Sequence, residues 1–273
     1  LMVDQLVALG DRLYFVADDE VRSVPKTGGK AKVVYKSDAL PRGLASDGKH
    51  LYFEEVVDIV RVSLTGSDRK KLGTPDKDGL LDETRELTVS EQHVFVSTAK
   101  AVQRLPKAGG KVTLLANLED GRGLVLDDGD LYFHSAAQGK LYRVKKGEDE
   151  AEAVVEDLKL TPELNLGVDA ERVYFVTADA ELYSWSKSGG APSRVFELHK
   201  RVAAFVVDQQ RVHHWVDGEF LGLGGGLFSR KLDSEEASAN RMYGIDEVGG
   251  VAVDEKRLFW IDSGNRRVMS LAL

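Results

Sequence analysis

The chain has 273 residues and a formal net charge of -8, with 42% hydrophobic and 30% charged residues. This composition is sufficient for a hydrophobic core, and its acidic balance argues against binding to nucleic acid or to anionic membrane surfaces. No apolar run approaches the roughly 20 residues of a membrane-spanning helix, and the absence of cysteine excludes disulfides and thiolate chemistry.

A short apolar segment that follows a polar turn recurs along the whole chain. It appears first as DRLYF, and later as KHLYF, QHVFV, GDLYF, ERVYF, QRVHHW and KRLFW. The copies are spaced by about 41 residues on average, which indicates a structural repeat. Their anchor positions are Leu13, Leu51, Val94, Leu131, Val173, Val212 and Leu258.

Each unit is predicted to contain four short strands, and the third unit shows them clearly. Its strands are RELTV, HVFVS, AVQRLP and KVTLLA, with the turn KAGG before the last. The pair Gly109-Gly110 permits the positive φ of a tight turn, and related pairs follow Lys26 and Lys187. Runs such as LYFV are apolar at consecutive positions, which is typical of strands buried on both faces.

These features predict an all-β fold, a seven-bladed β-propeller of four-stranded antiparallel blades. Six blades with one irregular repeat is the alternative. A single domain is expected over residues 1–273. The predicted blades cover about 5–40, 41–82, 83–120, 121–160, 161–200, 201–246 and 247–273.

The seventh unit supplies three strands before the chain stops. Propellers usually close by taking a strand from the N-terminus, and only LMVD precedes the first predicted strand. Either Leu1 to Val3 form a stub of the closing strand, or residues upstream of Leu1 form it.

The last repeat, VAVDEKRLFWIDSGNRRVMSL, resembles the YWTD repeat of lipoprotein-receptor propellers and, more loosely, the NHL repeat. The matching positions are Ala252 to Asp254, Phe259 to Asp262 and Arg267 to Val268. The other repeats resemble those of uncharacterised bacterial extracytoplasmic propellers. The resemblance implies binding of a protein or glycan on one face. It also implies an extracytoplasmic location, as a periplasmic, secreted or lipid-anchored protein.

Three arginines occupy one repeat position at the start of the innermost strand. Arg42, Arg85 and Arg122 each lie ten residues before the aromatic residue of their unit. Starts of innermost strands share one propeller face, so the three are predicted to line one sector of the channel mouth with Glu54 and His134 close by. Guanidinium groups there suit carboxylates, phosphates or sugar hydroxyls. Alternatively, each arginine pairs with a nearby acid such as Glu86 or Glu54.

Further candidates come from loops and strands of the later units. Asn265 lies in a loop expected on the same face, and Trp215 lies near the LGLGGG segment of unit six. Both are predicted ligand-binding residues of the channel mouth.

Five aspartates recur five residues before the aromatic position. They could suggest a metal ring, but turn aspartates that cap their own backbone explain them better. They are Asp47, Asp127, Asp169, Asp208 and Asp254.

The sequence contains neither a G-x-S-x-G nor an H-E-x-x-H motif. We therefore expect a non-catalytic, monomeric scaffold without a cofactor that binds a protein, peptide or glycan on its variable face. The alternative is an extracytoplasmic metal-dependent hydrolase or lyase, of the lactonase or streptogramin-lyase type, with its metal ion in the channel. A purely structural module of a larger surface protein is the third possibility.

Overall fold

Short antiparallel strands form all of the regular structure that a computed structural model describes. It describes residues 5–75, 84, 86–119, 121–161, 164–199, 201–208, 210–216, 225–234, 242–245 and 247–273. Blade one contains β1 (Leu6–Leu9), β2 (Arg12–Ala17), β3 (Glu20–Pro25) and β4 (Lys32–Lys36). Blade two contains β5 (Arg42–Ser46), β6 (His50–Glu55), β7 (Asp58–Ser63) and β8 (Lys70–Gly73). Blade three contains β9 (Glu86–Val89), β10 (His93–Ser97), β11 (Ala101–Pro106) and β12 (Thr113–Asn117).

The remaining blades repeat this order. Blade four contains β13 (Gly121–Asp127), β14 (Asp130–Ser135), β15 (Lys140–Val144) and β16 (Glu152–Val155). Blade five contains β17 (Gly167–Val168), β18 (Arg172–Val176), β19 (Glu181–Ser186) and β20 (Ser193–Glu197). Blade six contains β21 (Val202–Val207), β22 (Arg211–Val216), β23 (Gly225–Lys231) and β24 (Met242–Ile245). Blade seven contains β25 (Val248–Val253), β26 (Arg257–Asp262) and β27 (Arg267–Ala272).

The first strands of the seven blades form a closed ring. Each of them contacts the first strand of the next blade, and β25 contacts β1. The predicted seven-bladed propeller is therefore confirmed, and the six-bladed alternative is wrong. Within the described part of the chain, no helix combines the length and the apolar character needed to cross a bilayer.

The second strand of each blade is buried on both sides because it lies between two neighbouring sheets. In β6, Leu51 and Phe53 pack into the cluster shared with blade one. Tyr52, between them, packs into the cluster shared with blade three. Since successive side chains of a strand point to opposite faces, a consecutive apolar run fills both interfaces. The predicted double burial is confirmed.

The Gly-Gly pairs form the turns between the third and fourth strands, as predicted. Gly28 has a φ of 92° and Gly109 a φ of 87°, and each donates its amide to the carbonyl of a strand-three proline. A β-carbon on Gly28 would meet no atom within 4 Å, so the requirement there is conformational. At Gly66, in the β7–β8 turn, a β-carbon would lie 1.8 Å from the carbonyl oxygen of Val34 in blade one.

Four of the five recurrent aspartates cap their own turns, as predicted. Asp47 accepts the amides of Lys49 and His50, and equivalent pairs of bonds form at the other three. The other three are Asp169, Asp208 and Asp254. Asp127, the fifth, accepts from Lys187 of the next blade.

The lysines of the Lys-x-Gly-Gly motifs connect neighbouring blades, which the sequence did not reveal. Nζ of Lys107 lies 2.5 Å from Oδ2 of Asp47 in the preceding blade. Lys26 makes the equivalent contact with Asp254 at 2.5 Å, across the junction between blades one and seven. Burial alone would raise the pKa of Asp47, but Lys107 and the capping amides together lower it well below its usual range.

The ring closes at blade seven, whose sheet has the fewest strands among the described residues. Blade seven has three strands among the described residues, and β1 contacts β25 and β26. Leu1 to Val3, for which a closing strand was predicted, lie outside the described residues. The ion pair between Lys26 and Asp254 lies at this junction and joins residues 228 positions apart.

The turn glycines yield a testable contrast. We expect Gly28→Ala to lower the free energy of unfolding by about 1 kcal/mol because alanine rarely adopts its φ. Gly66→Ala should cost more than about 2 kcal/mol, since its β-carbon collides with the Val34 carbonyl as well. Urea unfolding followed by circular dichroism measures both values. Equal losses would contradict the close approach of blades one and two at Gly66.

The lysine contacts yield a second prediction. Lys107 and Asp47 have side chains only 17% and 13% exposed, so their charges are poorly screened. We expect a double-mutant cycle with Lys107→Met and Asp47→Asn to give a coupling of about 1–3 kcal/mol in unfolding free energy. Lys111→Met, at an exposed site of the same hairpin, is the control and should change it by less than about 0.5 kcal/mol. A coupling near zero would show that the contact does not join the blades.

Candidate functional site

A central cavity opens at the starts of the innermost strands. Its volume is about 850 Å³. We call this side the cavity face; it also carries the turns between the second and third strands of each blade. All seven blades contribute to the wall. Representative lining residues are Leu6, Arg42, Glu86, Arg122, Leu166, Ala204 and Val251.

Two of the predicted arginines lie in this wall, on strands interrupted by β-bulges. The register of β5 against β6 shifts between Arg42 and Ala45, and that of β13 against β14 shifts between Arg122 and Val125. Bulges often occur next to functional sites because they change the direction in which a side chain points. The repeated Arg-Gly-Leu sequence thus places a guanidinium at the cavity in blades two and four.

The glycine after each arginine makes the bulge possible. Gly43 has a φ of 61° and Gly123 a φ of 69°. A β-carbon on Gly123 would lie 2.9 Å from Cδ2 of His134 and 3.0 Å from the amide nitrogen of Leu166. Glycine is therefore required at this position both by conformation and by space.

The predicted partners Glu54 and His134 lie directly across the strand pair from the arginines. Arg42 is in register with Glu54, and Arg122 with His134. Both partners are buried, 5% and 2% exposed, and neither lines the cavity. Their side chains point into the interface with the next blade.

Each of these buried side chains forms hydrogen bonds to the segment that precedes the first strand of the next blade. Glu54 accepts hydrogen bonds from the amide and hydroxyl of Thr84. Nε2 of His134 donates to the carbonyl of Leu164 at 2.8 Å. Burial lowers the pKa of His134, the bond to Leu164 opposes this, and the charge of Arg122 lowers it further. A neutral imidazole therefore supports the cavity wall beside Arg122.

An acid lies between the two arginines. Glu86, at the start of β9, lines the cavity and accepts the amide of Leu124 at 2.7 Å. Its carboxylate therefore joins blade three to the bulge of blade four. Arg42, Glu86 and Arg122 all make additional interactions, so none is an isolated charge.

Of the three other predicted site residues, Trp215 and Asn265 are described, and neither lines the cavity. Trp215 is fully buried and packs against Trp260 between blades six and seven, with ring centroids 6.1 Å apart. Asn265, in the β26–β27 turn, donates its side-chain amide to the buried carboxylate of Asp262. Arg85 lies outside the described residues.

The opposite part of the cavity wall is small and apolar. Blades six and seven contribute Ala203, Ala204, Val248, Gly249 and Val251 to it. Across from them, blades two to four contribute the charged groups. The cavity thus presents a charged wall and an apolar wall to any ligand.

Sequence reasoning missed an exposed apolar tip on blade two. Val56 and Val57 form the two-residue turn between Glu55 and Asp58, and their exposures are 63% and 55%. Val56 has a φ of 63°, which is strained for a β-branched residue. Leu40, which is 41% exposed, precedes β5 on the same face and lines the cavity. Two valines in a position that favours glycine or asparagine are the signal that sequence reasoning could have used.

Two histidines form a stacked group in the interface between blades five and six. Nδ1 of His199 lies 2.8 Å from Nε2 of His214, and both rings pack on Phe228. Burial, with the nearby His199, lowers the pKa of His214 to about 3. Among the described residues, no three histidine, aspartate or glutamate side chains come close enough to hold a metal ion.

Comparisons with known proteins show the fold and no family. No protein-family model matches the sequence, and no curated protein matches it. The structure is similar to the WD40 β-propeller domain of Doa1, with a TM-score of 0.69 and 14% identity, covering 100% of this chain and 92% of that chain.

Two further solved structures are also similar to this one. BamB from Moraxella catarrhalis has a TM-score of 0.64 and 11% identity, covering 97% of this chain and 82% of that chain. A chain of a nidogen/laminin complex has a TM-score of 0.60 and 18% identity, covering 82% of this chain and 90% of that chain. The predicted β-propeller repeat protein is confirmed by these likenesses.

The buried histidines predict a pH dependence of stability. The unfolded chain takes up a proton on His214 near pH 6.5, whereas the folded protein does so only near pH 3. Between these two pH values the unfolded state binds more protons than the folded state. The free energy of unfolding should therefore decrease as the pH is lowered below about 6.5, by up to about 1.4 kcal/mol per pH unit.

Urea unfolding at about pH 7, 6 and 5 measures this slope while most carboxylates stay ionised. We expect His214→Gln to have a shallower slope than the parent protein. His134 and His213, whose pKa values burial also lowers, should account for part of what remains. Parallel slopes for parent and variant would contradict the burial of a neutral His214.

Proposed function

We propose that this protein is a non-catalytic scaffold that binds a protein, peptide or glycan partner on its cavity face. The observation that carries the proposal is that the charged groups of the cavity wall lie in blades two to four, across from an apolar wall in blades six and seven. Sites for organic ligands combine apolar walls with a few polar groups that fix orientation. A chain end or an acidic sugar residue offers the matching combination.

The charged wall suits an anionic group. Arg42 is the first and Arg122 the second residue of the first strands of blades two and four, and the two flank Glu86 of blade three. A guanidinium presents its N–H donors as a planar fork that matches a carboxylate, and both arginines also make interactions within the chain. A ligand carboxylate would bind there while its apolar part contacts Ala204 and Val251.

The exposed tip of blade two favours a macromolecular partner. Val56, Val57 and Leu40 lie on the same face and extend the apolar surface beyond the cavity. A strained, β-branched residue in an exposed turn lowers stability without benefit to packing, and such strain is typical of functional sites. A contact made by these side chains with a partner would explain why they are present.

The comparisons support the same function. One similar chain comes from a complex between nidogen and laminin, which agrees with the resemblance of the last repeat to YWTD propellers. The likeness to BamB from Moraxella catarrhalis supports a bacterial, extracytoplasmic scaffold. Our proposal includes a monomeric protein that needs no cofactor for binding.

The test uses peptides with a free C-terminal carboxylate and an apolar last residue, their amidated forms, and an acidic disaccharide. Isothermal titration and thermal shift measure binding to the parent protein and to Arg42→Gln/Arg122→Gln. We expect a carboxylate probe to bind the parent at least about tenfold more tightly than the variant, and less tightly at high salt. Lys49→Gln/Arg172→Gln, at exposed sites on the opposite face, is the matched control and should bind like the parent.

A second arm of the test uses Val56→Asn. Asparagine tolerates positive φ, so this variant should be as stable as the parent or up to about 1 kcal/mol more stable. Once a binding protein has been identified, the same change should weaken its complex. Equal binding of amidated and free peptides, or of parent and arginine variant, would contradict the proposal. Turnover of a probe that a chelator abolishes would favour the metal-enzyme alternative instead.

A further inference from the structure

Five consecutive blades place a polar side chain in the wall of the central cavity. In or next to the first strands of blades one to five, these are Gln5, Arg42, Glu86, Arg122 and Asn165. Arg42, Glu86 and Arg122 occupy matching places, because each is paired with the residue three positions after the anchor of its blade. Blade three fills this place with Glu86 since the register of β9 against β10 has no shift. A ligand in the cavity therefore meets polar groups along one continuous arc of the wall.

Gln5 contributes an acceptor that no described residue satisfies. It lines the cavity, and its Oε1 is shielded from solvent without a hydrogen-bond partner in the described part of the chain. A buried acceptor of this kind costs free energy until a donor reaches it. Gln5 lies against blade seven, since a β-carbon on Gly250 would be 2.9 Å from its Cα. The ligand group that suits Oε1 of Gln5 is an N–H or O–H donor.

An apolar ridge leads from the cavity to the tip of blade two. Arg42 is paired with Glu54, and Leu40 and Val56 each lie two residues beyond this pair, toward the cavity face. Leu40 lines the cavity and is also 41% exposed, and Val57 follows Val56 in the exposed turn. We call Leu40, Val56 and Val57 the blade-two ridge. Through Leu40 this ridge is continuous with the cavity wall.

The blade-two ridge is short enough for one extended segment to cross. Neighbouring strands are about 4.8 Å apart, so the turn between β6 and β7 lies up to about 10 Å from β5. Along β5 the ridge begins two residues from Arg42, which is about 7 Å. An extended chain with one end at Arg42 therefore crosses the ridge within about four residues.

We propose that the cavity face binds the C-terminal segment of a partner protein, an inference that rests on the function proposed above. The last residue enters the cavity, where its carboxylate binds Arg42 and its main-chain N–H donates to Oε1 of Gln5. The preceding residues cross the blade-two ridge in an extended conformation, with apolar side chains on Val56 and Val57. Capture of a C-terminal carboxylate by fixed donors is a recurring mode of peptide recognition.

The ridge favours a peptide end over an acidic sugar. A C-terminal residue carries a carboxylate and an N–H on the same Cα, so it can reach the guanidinium of blade two and the amide of blade one together. A sugar chain offers hydroxyl groups but no aliphatic side chains to cover two exposed valines. The described residues of the cavity wall also include no aromatic ring on which a sugar could stack.

The first test is a thermodynamic cycle between peptide and ridge. Two acetylated peptides of about eight residues end in valine with a free carboxylate. They differ only in their upstream halves, where alternate positions hold leucine in one and serine in the other. Isothermal titration should show that the parent binds the leucine peptide at least about tenfold more tightly. Val56→Asn/Val57→Asn should bind the two peptides about equally, because the apolar contact is lost.

Variants elsewhere separate the ridge from the cavity. Arg42→Gln should weaken both peptides by a similar factor, at least about tenfold, because hydrogen bonds to charged groups are strong. Val33→Asn is the matched control for the ridge. Val33 is 53% exposed on β4, in the outer strand of blade one, so this variant should bind both peptides like the parent.

The second test addresses Gln5. Gln5→Met should not lower the free energy of unfolding, since the oxygen that it removes has no described partner. N-methylation of the last peptide residue removes the proposed donor and should weaken binding to the parent several-fold. The methylated and unmethylated peptides should bind Gln5→Met about equally.

Several results would overturn the inference while leaving the proposed function in place. One is a preference for the leucine peptide that persists in Val56→Asn/Val57→Asn. Another is equal binding of an amidated peptide with an internal glutamate, which would make a loop the occupant. Binding of an acidic disaccharide that depends on Arg42, without binding of either peptide, would make a glycan the occupant. If Arg42→Gln binds every probe like the parent, the inference and the proposed function both fail.

Discussion

Burial of each second strand between two neighbouring sheets is the constraint on which the whole structure depends. Leu51 and Phe53 contribute to one interface of blade two and Tyr52 to the other, so no blade completes its core alone. Seven such interfaces require a closed ring, because a terminal blade would otherwise leave one apolar face in water. Closure between β1 and β25 is therefore a condition for the stability of every blade.

The two faces of the ring differ in how regularly their turns repeat from blade to blade. On the face opposite the cavity, capped aspartate turns and Lys-x-Gly-Gly turns repeat, and lysines such as Lys107 join adjacent blades. Because these contacts fix the relative position of the sheets, the cavity face can vary in side chains without loss of the fold. A rigid scaffold with variable loops also loses little conformational entropy on binding, which favours recognition of a partner.

Repetition explains what could be predicted from the sequence. Strand order, glycine turns and aspartate caps recur, so the strands and turns assigned in one unit could be assigned in the others. The direction of Arg42 and Arg122 toward the cavity depends on bulges that shift the register locally, and the alternation of a regular strand does not predict them. Glu54, His134 and Trp215 share one position on the second strand, and all three point into interfaces between blades. The tip at Val56 was missed because a turn of unfavourable residues gives no repeat signal.

The ring closes at the junction of blade seven with blade one. Its junction with blade one relies on the apolar cluster around Phe259 and on the pair Lys26–Asp254, without a described fourth strand. By linkage, a ligand that binds only the closed ring stabilises the entire propeller, not a single blade. The stability of the fold and occupancy of the cavity face would then be thermodynamically coupled, because all seven blades contribute to the cavity wall.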